Sequence, residues 1–228
     1  MITGVVLCGL SGSGKSTLGQ VLAERLGFSF LDSEDLFFPK SDPSRPYASP
    51  RSRAEAEELL FQTIQKQGSF VLAAVKGNFG ERILPFYRYA VLLHAPKEIR
   101  LQRVRERSFQ KFGARMLPGG DLYREEEEFF RMADSRPEEE AEAWVRTLAC
   151  PVLRADGTKP PAENAALLAK LIQGEGGGPA FFPVKKRFLR RAGESVFLQK
   201  FRICAASFPS GCPRRRAPCI RPAHGGAA

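Results

Sequence analysis

Short hydrophobic runs alternate with segments of helical periodicity along residues 1–174. The runs at residues 2–8, 28–31, 70–75, 89–93 and 151–154 predict five β-strands. Apolar positions recur at helical spacing over residues 16–26, 56–64, 96–111, 121–133, 137–148 and 164–172. Strands and helices in this alternation are typical of βαβ units. The pattern therefore predicts an α/β domain with a five-stranded parallel sheet and helices on both faces.

The periodic pattern stops at Gly174. Residues 176–178 are glycines, and the chain beyond them is rich in Arg, Pro, Gly, Ser and Cys without a helical or strand period. We therefore predict a folded domain at residues 1–174 and a disordered, basic, low-complexity tail at residues 175–228. An abrupt change of composition is also what a shifted reading frame produces. A tail without function and a tail that binds nucleic acid are both kept as interpretations.

The net charge divides the chain at the same point. The 228 residues carry a formal charge of +10, but residues 1–174 contain 24 Lys and Arg against 23 Asp and Glu. Nucleic acid is therefore an expected partner only through the tail. No hydrophobic stretch has the length of a membrane span or the layout of a secretory signal, so we expect a soluble, cytoplasmic protein.

A glycine-rich motif lies between the first predicted strand and the first predicted helix. Residues 9–16 match the pattern GxxxxGK[ST]. Its glycines allow successive backbone N–H groups to converge on phosphate oxygens, and the positive end of the following helix adds to the attraction. This context predicts an ATP site. The predicted nucleotide-binding residues are Gly9, Ser11, Gly12, Ser13, Gly14, Lys15, Ser16 and Thr17.

Polar residues of the motif and of the turn after the second strand have distinct predicted roles. Lys15 is the cation for the β- and γ-phosphates, and the Ser16 hydroxyl is a Mg²⁺ ligand. The acidic turn at residues 32–35 lies where open α/β sheets bind ligands. A carboxylate there can hold magnesium-bound water or accept the proton of an acceptor hydroxyl. We predict Asp35, and after it Asp32, as catalytic residues, with Asp32 also a metal ligand; an Asx turn or helix cap is the structural alternative.

With these features the chain resembles the small P-loop kinases of the nucleoside monophosphate kinase and shikimate kinase type. The resemblance extends over about residues 1–172 in element order. It implies the three-layer P-loop NTPase fold, the use of ATP with Mg²⁺, and a small lid at about residues 108–121. The segment at residues 156–160 resembles the one that packs on adenine in such enzymes.

Arginines of the helix over residues 96–111 are further site candidates. In similar kinases an RxxxR pair enters the lid, with one arginine near adenine and the other on the phosphates. Arg103 and Arg107 match this spacing, so the resemblance assigns Arg103 to the nucleotide and Arg107 to catalysis. Arg115 lies in a glycine-flanked segment that can close over the site, and it is also a predicted catalytic residue. Together with Arg100 and Lys111, these side chains also fit a solvated basic face paired with acidic residues, including the glutamates at 125–128.

Other residues bear on the class of enzyme and on the molecule that accepts the phosphate. The third predicted strand ends in Lys76-Gly77-Asn78 without a Walker B aspartate, which argues against motor and switch ATPases. We interpret a second group of residues as a pocket for an anionic or phosphorylated small acceptor. The group consists of Arg45, Tyr47, Arg51, Gly77, Gly80 and Arg82.

The leading hypothesis is an enzyme, a phosphotransferase that moves the γ-phosphate of ATP to a small molecule or nucleotide. One alternative is a nucleotide-binding ATPase or regulatory module without an acceptor. Another is a kinase of nucleic-acid ends that uses the basic tail as an anchor.

Overall fold

The described chain folds into a five-stranded parallel sheet with helices on both faces, which confirms the predicted fold class. The computed structural model describes residues 1–39, 44–47 and 49–174, so the predicted tail and its contact with nucleic acid lie outside the described residues. The strands are β1 (Gly4–Cys8), β2 (Ser29–Asp32), β3 (Phe70–Ala74), β4 (Tyr87–His94) and β5 (Val152–Asp156). The helices are α1 (Lys15–Leu26), α2 (Ser33–Phe37), α3 (Arg53–Gln67), α4 (Lys97–Phe112), α5 (Tyr123–Ser135), α6 (Glu140–Val145) and α7 (Pro161–Gln173), with short 3₁₀ helices at Leu84–Phe86 and Gly113–Met116.

The first strand, β1, lies at the centre of the sheet, whose strand order is β2-β3-β1-β4-β5. At its end, Cys8 pairs with Ala74 of β3 and with Leu92 of β4, both in parallel register. All residues of β1 are buried, so its sequence is a continuous apolar run instead of an alternating one. The chain leaves β1 at the carboxyl edge of the sheet, where β3 lies on one side of β1 and β4 on the other. Open α/β sheets place their ligand sites at such an edge.

The two faces of the sheet are covered by different helices. Val5 and Leu7 of β1 face α1 and α7, whereas Val6 faces the other side, toward Gly77 and Trp144 of α6. This alternation follows from the two-residue period of a strand. The core beneath α1 and α7 consists of Val5, Leu7, Leu18, Leu22, Ala23, Val71, Val91, Leu93, Ala165, Leu168 and Ala169. None of the helices in the described ranges is long and apolar enough to cross a membrane.

A second apolar cluster joins α4, the following 3₁₀ helix and α5. Its buried members are Val104, Phe112, Met116, Leu122 and Phe130, and Tyr47 packs against them. The predicted lid at about residues 108–121 therefore begins in the last turns of α4 and has its own small core. Whether this segment moves as a lid stays a prediction.

Arg100, in the first turn of α4, contacts the phosphate loop. Its side chain is only 3% exposed, and its Nε donates to the Ala95 carbonyl at 3.1 Å. Its Nη1 lies 3.5 Å from the Ser11 carbonyl. Arg100 therefore does not belong to a solvated basic face, because α4 turns this side chain toward the loop and the end of β4.

Two acidic residues differ from the sequence-based expectation. Asp121 lies at the start of the helix predicted over residues 121–133, but it pairs with Arg115 at 2.7 Å, and α5 begins only at Tyr123. Glu126 belongs to the glutamate run that was expected to be solvated. It is 4% exposed and accepts a hydrogen bond of 2.7 Å from Ser108 Oγ. Periodicity located the helix, but only the packing of α5 on α4 decided which glutamate is buried.

Gly12→Ala is expected to destabilise the fold more than the matched variant Gly27→Ala. Both glycines have positive φ angles, +81° and +66°, at which an L-residue costs about 1 kcal/mol. A Cβ on Gly12 would also meet the Arg100 carbonyl, whereas one on Gly27 meets nothing within 4 Å. The free energy of unfolding, measured with urea, should therefore fall further in Gly12→Ala. Equal losses would contradict a tight contact between loop and α4.

Candidate active site

The phosphate-binding loop joins β1 to α1 at the carboxyl edge of the sheet. Gly14 occupies the N-cap position of α1 with a φ of 98° and provides no capping side chain. The first-turn N–H groups therefore lack a side-chain cap, an arrangement that suits an anion. Ser13 is fully buried, and its N–H donates to the Leu10 carbonyl at 3.2 Å. Of the predicted nucleotide-binding residues, Ser13 thus shapes the loop, while Thr17 is exposed beside it.

Lys15 lies inside the curve of this loop. Its Nζ donates to the Leu10 carbonyl at 2.9 Å. Burial lowers the pKa of Lys15 to about 8, the nearby Asp32 charge raises it in part, and the charges of Arg107 and Arg136 lower it again. Three groups from three separate parts of the chain therefore lie within electrostatic reach of the ammonium group.

Ser16 and Asp32 join the phosphate loop to the end of β2. Ser16 Oγ donates to Asp32 Oδ2 at 2.5 Å, while Asp32 Oδ1 accepts from the Glu34 N–H at 2.9 Å and caps α2. Asp32 thus has the capping role that was the structural alternative, and it also contacts the phosphate loop, which the sequence did not predict. A hydroxyl and a carboxylate oxygen are hard donors of the kind that Mg²⁺ prefers. The described residues contain no group of three or more His, Cys, Asp or Glu that could hold a metal by themselves.

The predicted arginines lie in two different places. Arg103 Nη1 donates to the Gly157 carbonyl at 2.9 Å and lies 4.0 Å from the position of a Cβ on Gly14, so it is adjacent to the loop. Arg107 is exposed on the next turn of α4, and its charge lowers the pKa of Lys15. Arg115 instead binds Asp121 through two nitrogens, at 2.9 and 2.7 Å, and donates to the Ser44 carbonyl at 3.0 Å. The structure brings the first two arginines to the loop and ties the third to the lid segment.

The segment at residues 156–160, which resembles an adenine-packing loop, contacts the phosphate loop at Gly157. Gly157 N–H donates to the His94 carbonyl at 2.6 Å. A Cβ on Gly157 would meet the Ser13 carbonyl, so the two backbones approach more closely than a larger residue would allow. Asn164 Nδ2 donates to the Asp156 carbonyl at 2.8 Å and holds the segment on α7.

The acidic turn presents two carboxylates with different surroundings. Asp35 is exposed on α2, and its backbone carbonyl accepts from Arg51 at 3.0 Å. The carboxylate of Glu34 accepts from the Tyr47 hydroxyl at 2.7 Å and lies 3.8 Å from Lys111 Nζ. Glu34 was part of the predicted turn but was given no role of its own.

Arg136 is a site residue that the sequence did not reveal. It lies between α5 and α6 and is 7% exposed, with its Nε 3.3 Å from Glu140 Oε2. Glu140 also pairs with Lys76, after β3, at 2.6 Å. The charge of Arg136 lowers the pKa of Lys15, so this arginine lies within electrostatic reach of the phosphate loop. The sequence signal was a lone arginine before a proline, which looks like any surface arginine.

Two of the arginines that the sequence assigned to an acceptor pocket are held by the protein itself. Arg51 Nη1 donates to the carbonyls of Asp35 and Leu36 and so closes the end of α2. Arg82 pairs with Glu58 at 2.6 Å and lies over the ring of Phe61. Of the other predicted members, Arg45 is exposed.

The loop that contains Gly77 and Gly80 is fixed from two sides. The Tyr87 hydroxyl donates to the Gly77 carbonyl at 2.8 Å, and Arg53 donates to the Asn78 carbonyl. A Cβ on Gly80 would meet the carboxylate of Glu57 on α3. These contacts therefore hold the backbone of the loop after β3 in place at the carboxyl edge of the sheet.

Comparison with protein families identifies residues 5–144 as an AAA domain of the AAA_18 family. The match extends from β1 into α6 and covers more than half of the chain. It includes the phosphate loop, the acidic turn and the arginines of α4.

Among similar proteins, the uncharacterized protein YqaC of Bacillus subtilis (strain 168) is 29% identical over 156 residues, which cover 65% of this chain and 85% of YqaC. Shikimate kinase of Thermosynechococcus vestitus (strain NIES-2133 / IAM M-273 / BP-1) is 28% identical over 109 residues, which cover 45% of this chain and 60% of that enzyme. The match with the kinase thus spans less than two thirds of its length.

Among solved structures, shikimate kinase from Acinetobacter baumannii in complex with shikimate is similar with a TM-score of 0.52. The sequence identity is 20%, and the match covers 78% of this chain and 96% of that one. This likeness shows the fold. The family match and the match with the T. vestitus shikimate kinase confirm the resemblance to the small P-loop kinases that the sequence motifs predict. The chain belongs to the AAA_18 family of AAA domains and has the shikimate kinase-like P-loop fold.

Proposed function

We propose that the protein transfers the γ-phosphate of ATP, in the presence of Mg²⁺, to a hydroxyl group of a small anionic acceptor. The observation that carries this proposal is the contact of Ser16 with Asp32, because it joins the phosphate loop to the acidic turn of the next strand. A donor site and an acidic acceptor side are therefore adjacent. In-line phosphoryl transfer requires these two parts and charge stabilisation between them.

Cations around the loop suit the triphosphate. Lys15 would contact the β- and γ-phosphates, and Arg107, within electrostatic reach of it, would stabilise charge on the transferring group. Arg103, which holds the segment at residues 156–158 on the loop, would lie on the side of the base. Arg115 would have to exchange its bonds to Asp121 and Ser44 to reach the phosphates.

Ser16 and Asp32 fit Mg²⁺ and would hold it together with phosphate oxygens and water. The bound ion would supply charge neutralisation at the phosphates. Asp32 is already oriented for this task because its second oxygen is fixed by the cap of α2. The hydroxyl of Ser16 would then turn its lone pairs to the metal and release the carboxylate.

The acceptor is proposed to be a small anionic molecule with a free hydroxyl group. Arg136, Lys76 and Glu140 together carry one net positive charge, and Arg53 donates to the Asn78 carbonyl in the loop after β3. The name of the relative from T. vestitus, shikimate kinase, refers to a hydroxy acid and supports this class. Asp35, the first choice from the sequence, and Glu34, which the structure adds, are the candidates to accept the hydroxyl proton.

A panel of small acceptors provides the main test. The protein is incubated with ATP and Mg²⁺ alone and with hydroxy acids, including shikimate and gluconate, with neutral polyols, and with nucleosides and nucleotides. ADP release should rise above the acceptor-free rate for an anionic hydroxyl compound, and Lys15→Ala should lose this increase because the phosphates lose their buried cation. If no compound raises ADP release, the ATPase or regulatory alternative is favoured.

Three acid-to-amide variants should separate the roles of the acidic turn. Asp32→Asn is expected to raise the Mg²⁺ concentration needed for half-maximal rate, because one metal ligand is weakened. Whichever of Glu34→Gln and Asp35→Asn removes the proton acceptor should lower kcat by about 10²-fold or more, with little change in the KM for ATP. Rates of both variants equal to wild type would exclude a carboxylate of this turn as the base.

The affinity for ATP should depend on the charge of Lys15. Its pKa is about 8 in the free protein against an ordinary value of 10.5, so the ammonium loses its proton as the pH rises through about 8. Bound phosphates favour the charged form, so the Kd for ATP should stay level near pH 7 and rise by up to about tenfold per pH unit above 8. The unfolded chain holds this proton up to higher pH, so this group makes unliganded stability increase between pH 8 and 10.5.

Calorimetric titrations from pH 7 to 9.5 would measure the Kd. Lys15→Arg is the matched variant, because a guanidinium group stays charged over this range and should flatten the pH dependence. The same slope in both proteins would show that Lys15 is not the titrating group.

A further inference from the structure

Tyr47 connects the acidic turn to the helix that leads into the lid segment. Its hydroxyl donates to Glu34 Oε1 at 2.7 Å and accepts from Lys111 Nζ at 2.9 Å. Lys111 lies in the last turn of α4, and Glu34 lies in the first turn of α2. Three distant parts of the chain therefore meet at one phenolic oxygen.

The direction of these hydrogen bonds is fixed by chemistry. An ammonium group can only donate and an ionised carboxylate can only accept, so the hydroxyl must donate to Glu34 while it accepts from Lys111. Burial, and after it the Glu34 charge, raises the pKa of Tyr47 well above its ordinary value, so the phenol keeps the proton that it donates. The Arg107 charge acts on the same phenol in the opposite sense. The Glu34 N–H donates to Asp32 Oδ1, and the other oxygen of Asp32 accepts from Ser16, so this network lies beside the phosphate loop.

Packing holds the ring of Tyr47 without help from its hydroxyl. The ring meets Phe38 edge to face at a centroid distance of 5.2 Å and Phe112 at 6.4 Å. Lys111 Nζ also lies 4.4 Å from the centre of the ring. A phenylalanine would keep these contacts. Tyr47→Phe therefore removes the hydroxyl contacts with Glu34 and Lys111 and keeps the ring contacts.

We propose that Tyr47 is a positioning residue that holds the carboxylate of Glu34 toward the acceptor hydroxyl, and that Lys111 makes this position depend on α4 and the lid segment. The inference rests on the proposed function, since it assigns Glu34 to the reacting side. A carboxylate near the start of a short helix has several rotamers. The hydrogen bond from Tyr47 and the charge of Lys111 at 3.8 Å select one of them. Misplacement by about 1 Å costs on the order of 10²-fold in rate.

Tyr47→Phe tests the proposal against a matched control, Tyr89→Phe. The Tyr89 hydroxyl contacts the Ile172 carbonyl at 3.4 Å near the end of α7, so its loss should leave the rate unchanged. With an acceptor from the panel, Tyr47→Phe should lower kcat by about tenfold to a hundredfold while the KM for ATP and the melting temperature stay close to wild type. In a Glu34→Gln background the same substitution should have little further effect, because the two residues act as one unit.

A second measurement does not depend on turnover. In protein labelled with ¹³C at glutamate carboxyls, the Glu34 signal is assigned by its loss in Glu34→Gln, and it should shift in Tyr47→Phe but not in Tyr89→Phe. An unchanged Glu34 signal, an unchanged kcat, or a loss of kcat that is equally large with and without Glu34 would overturn the proposal. If the wild-type protein transfers phosphate to no acceptor, the proposed function fails, whereas the carboxyl signal still decides whether Tyr47 holds Glu34.

Discussion

Several positively charged side chains lie close together at the carboxyl edge of the sheet. The architecture of the site depends on the negative groups that balance their charge. Arg107 and Arg136 lie close enough to Lys15 to lower its pKa, although one belongs to α4 and the other follows α5. Like charges that are partly removed from water are tolerated only beside opposite charges or hydrogen-bond acceptors. Asp32 supplies one negative charge beside the lysine, and Glu140 supplies another beside Arg136. A polyanion such as ATP would complete this balance, which explains why the edge suits a phosphate donor.

The second half of the chain completes the site that the first half begins. The loop after β1 carries the backbone groups for phosphate, but the first turn of α4 presses against it at Gly12, and Arg100 reaches its Ser11 carbonyl. The segment after β5 packs on the same loop at Gly157 and is held there by Arg103. The loop is therefore enclosed by residues more than 80 positions away in sequence. Such enclosure limits its motion and preorganises its N–H groups.

Several features of the site follow from local sequence, and others do not. The phosphate loop was predictable because its glycines, its lysine and the start of α1 are consecutive, and backbone conformation is a local property. Asp32 was predictable as a turn residue at the ligand-binding edge of the sheet, whereas its contact with Ser16 was not predicted. The roles of Arg100 and Glu126 were not predictable. Helical spacing places both on a charged face, whereas packing buries them among distant partners.

The sequence by itself determined the α/β class, an apolar first strand, and a nucleotide loop with Lys15 and Ser16 at the start of α1. These properties depend on periodicity and on neighbouring residues, which a single chain displays directly. Only the tertiary structure decided which charged side chains meet. Arg136 was brought near Lys15, and Glu34 was brought to Tyr47 and Lys111. Contacts of this kind join residues from separate helices and loops, and their strength depends on burial and distance, which the order of residues does not specify.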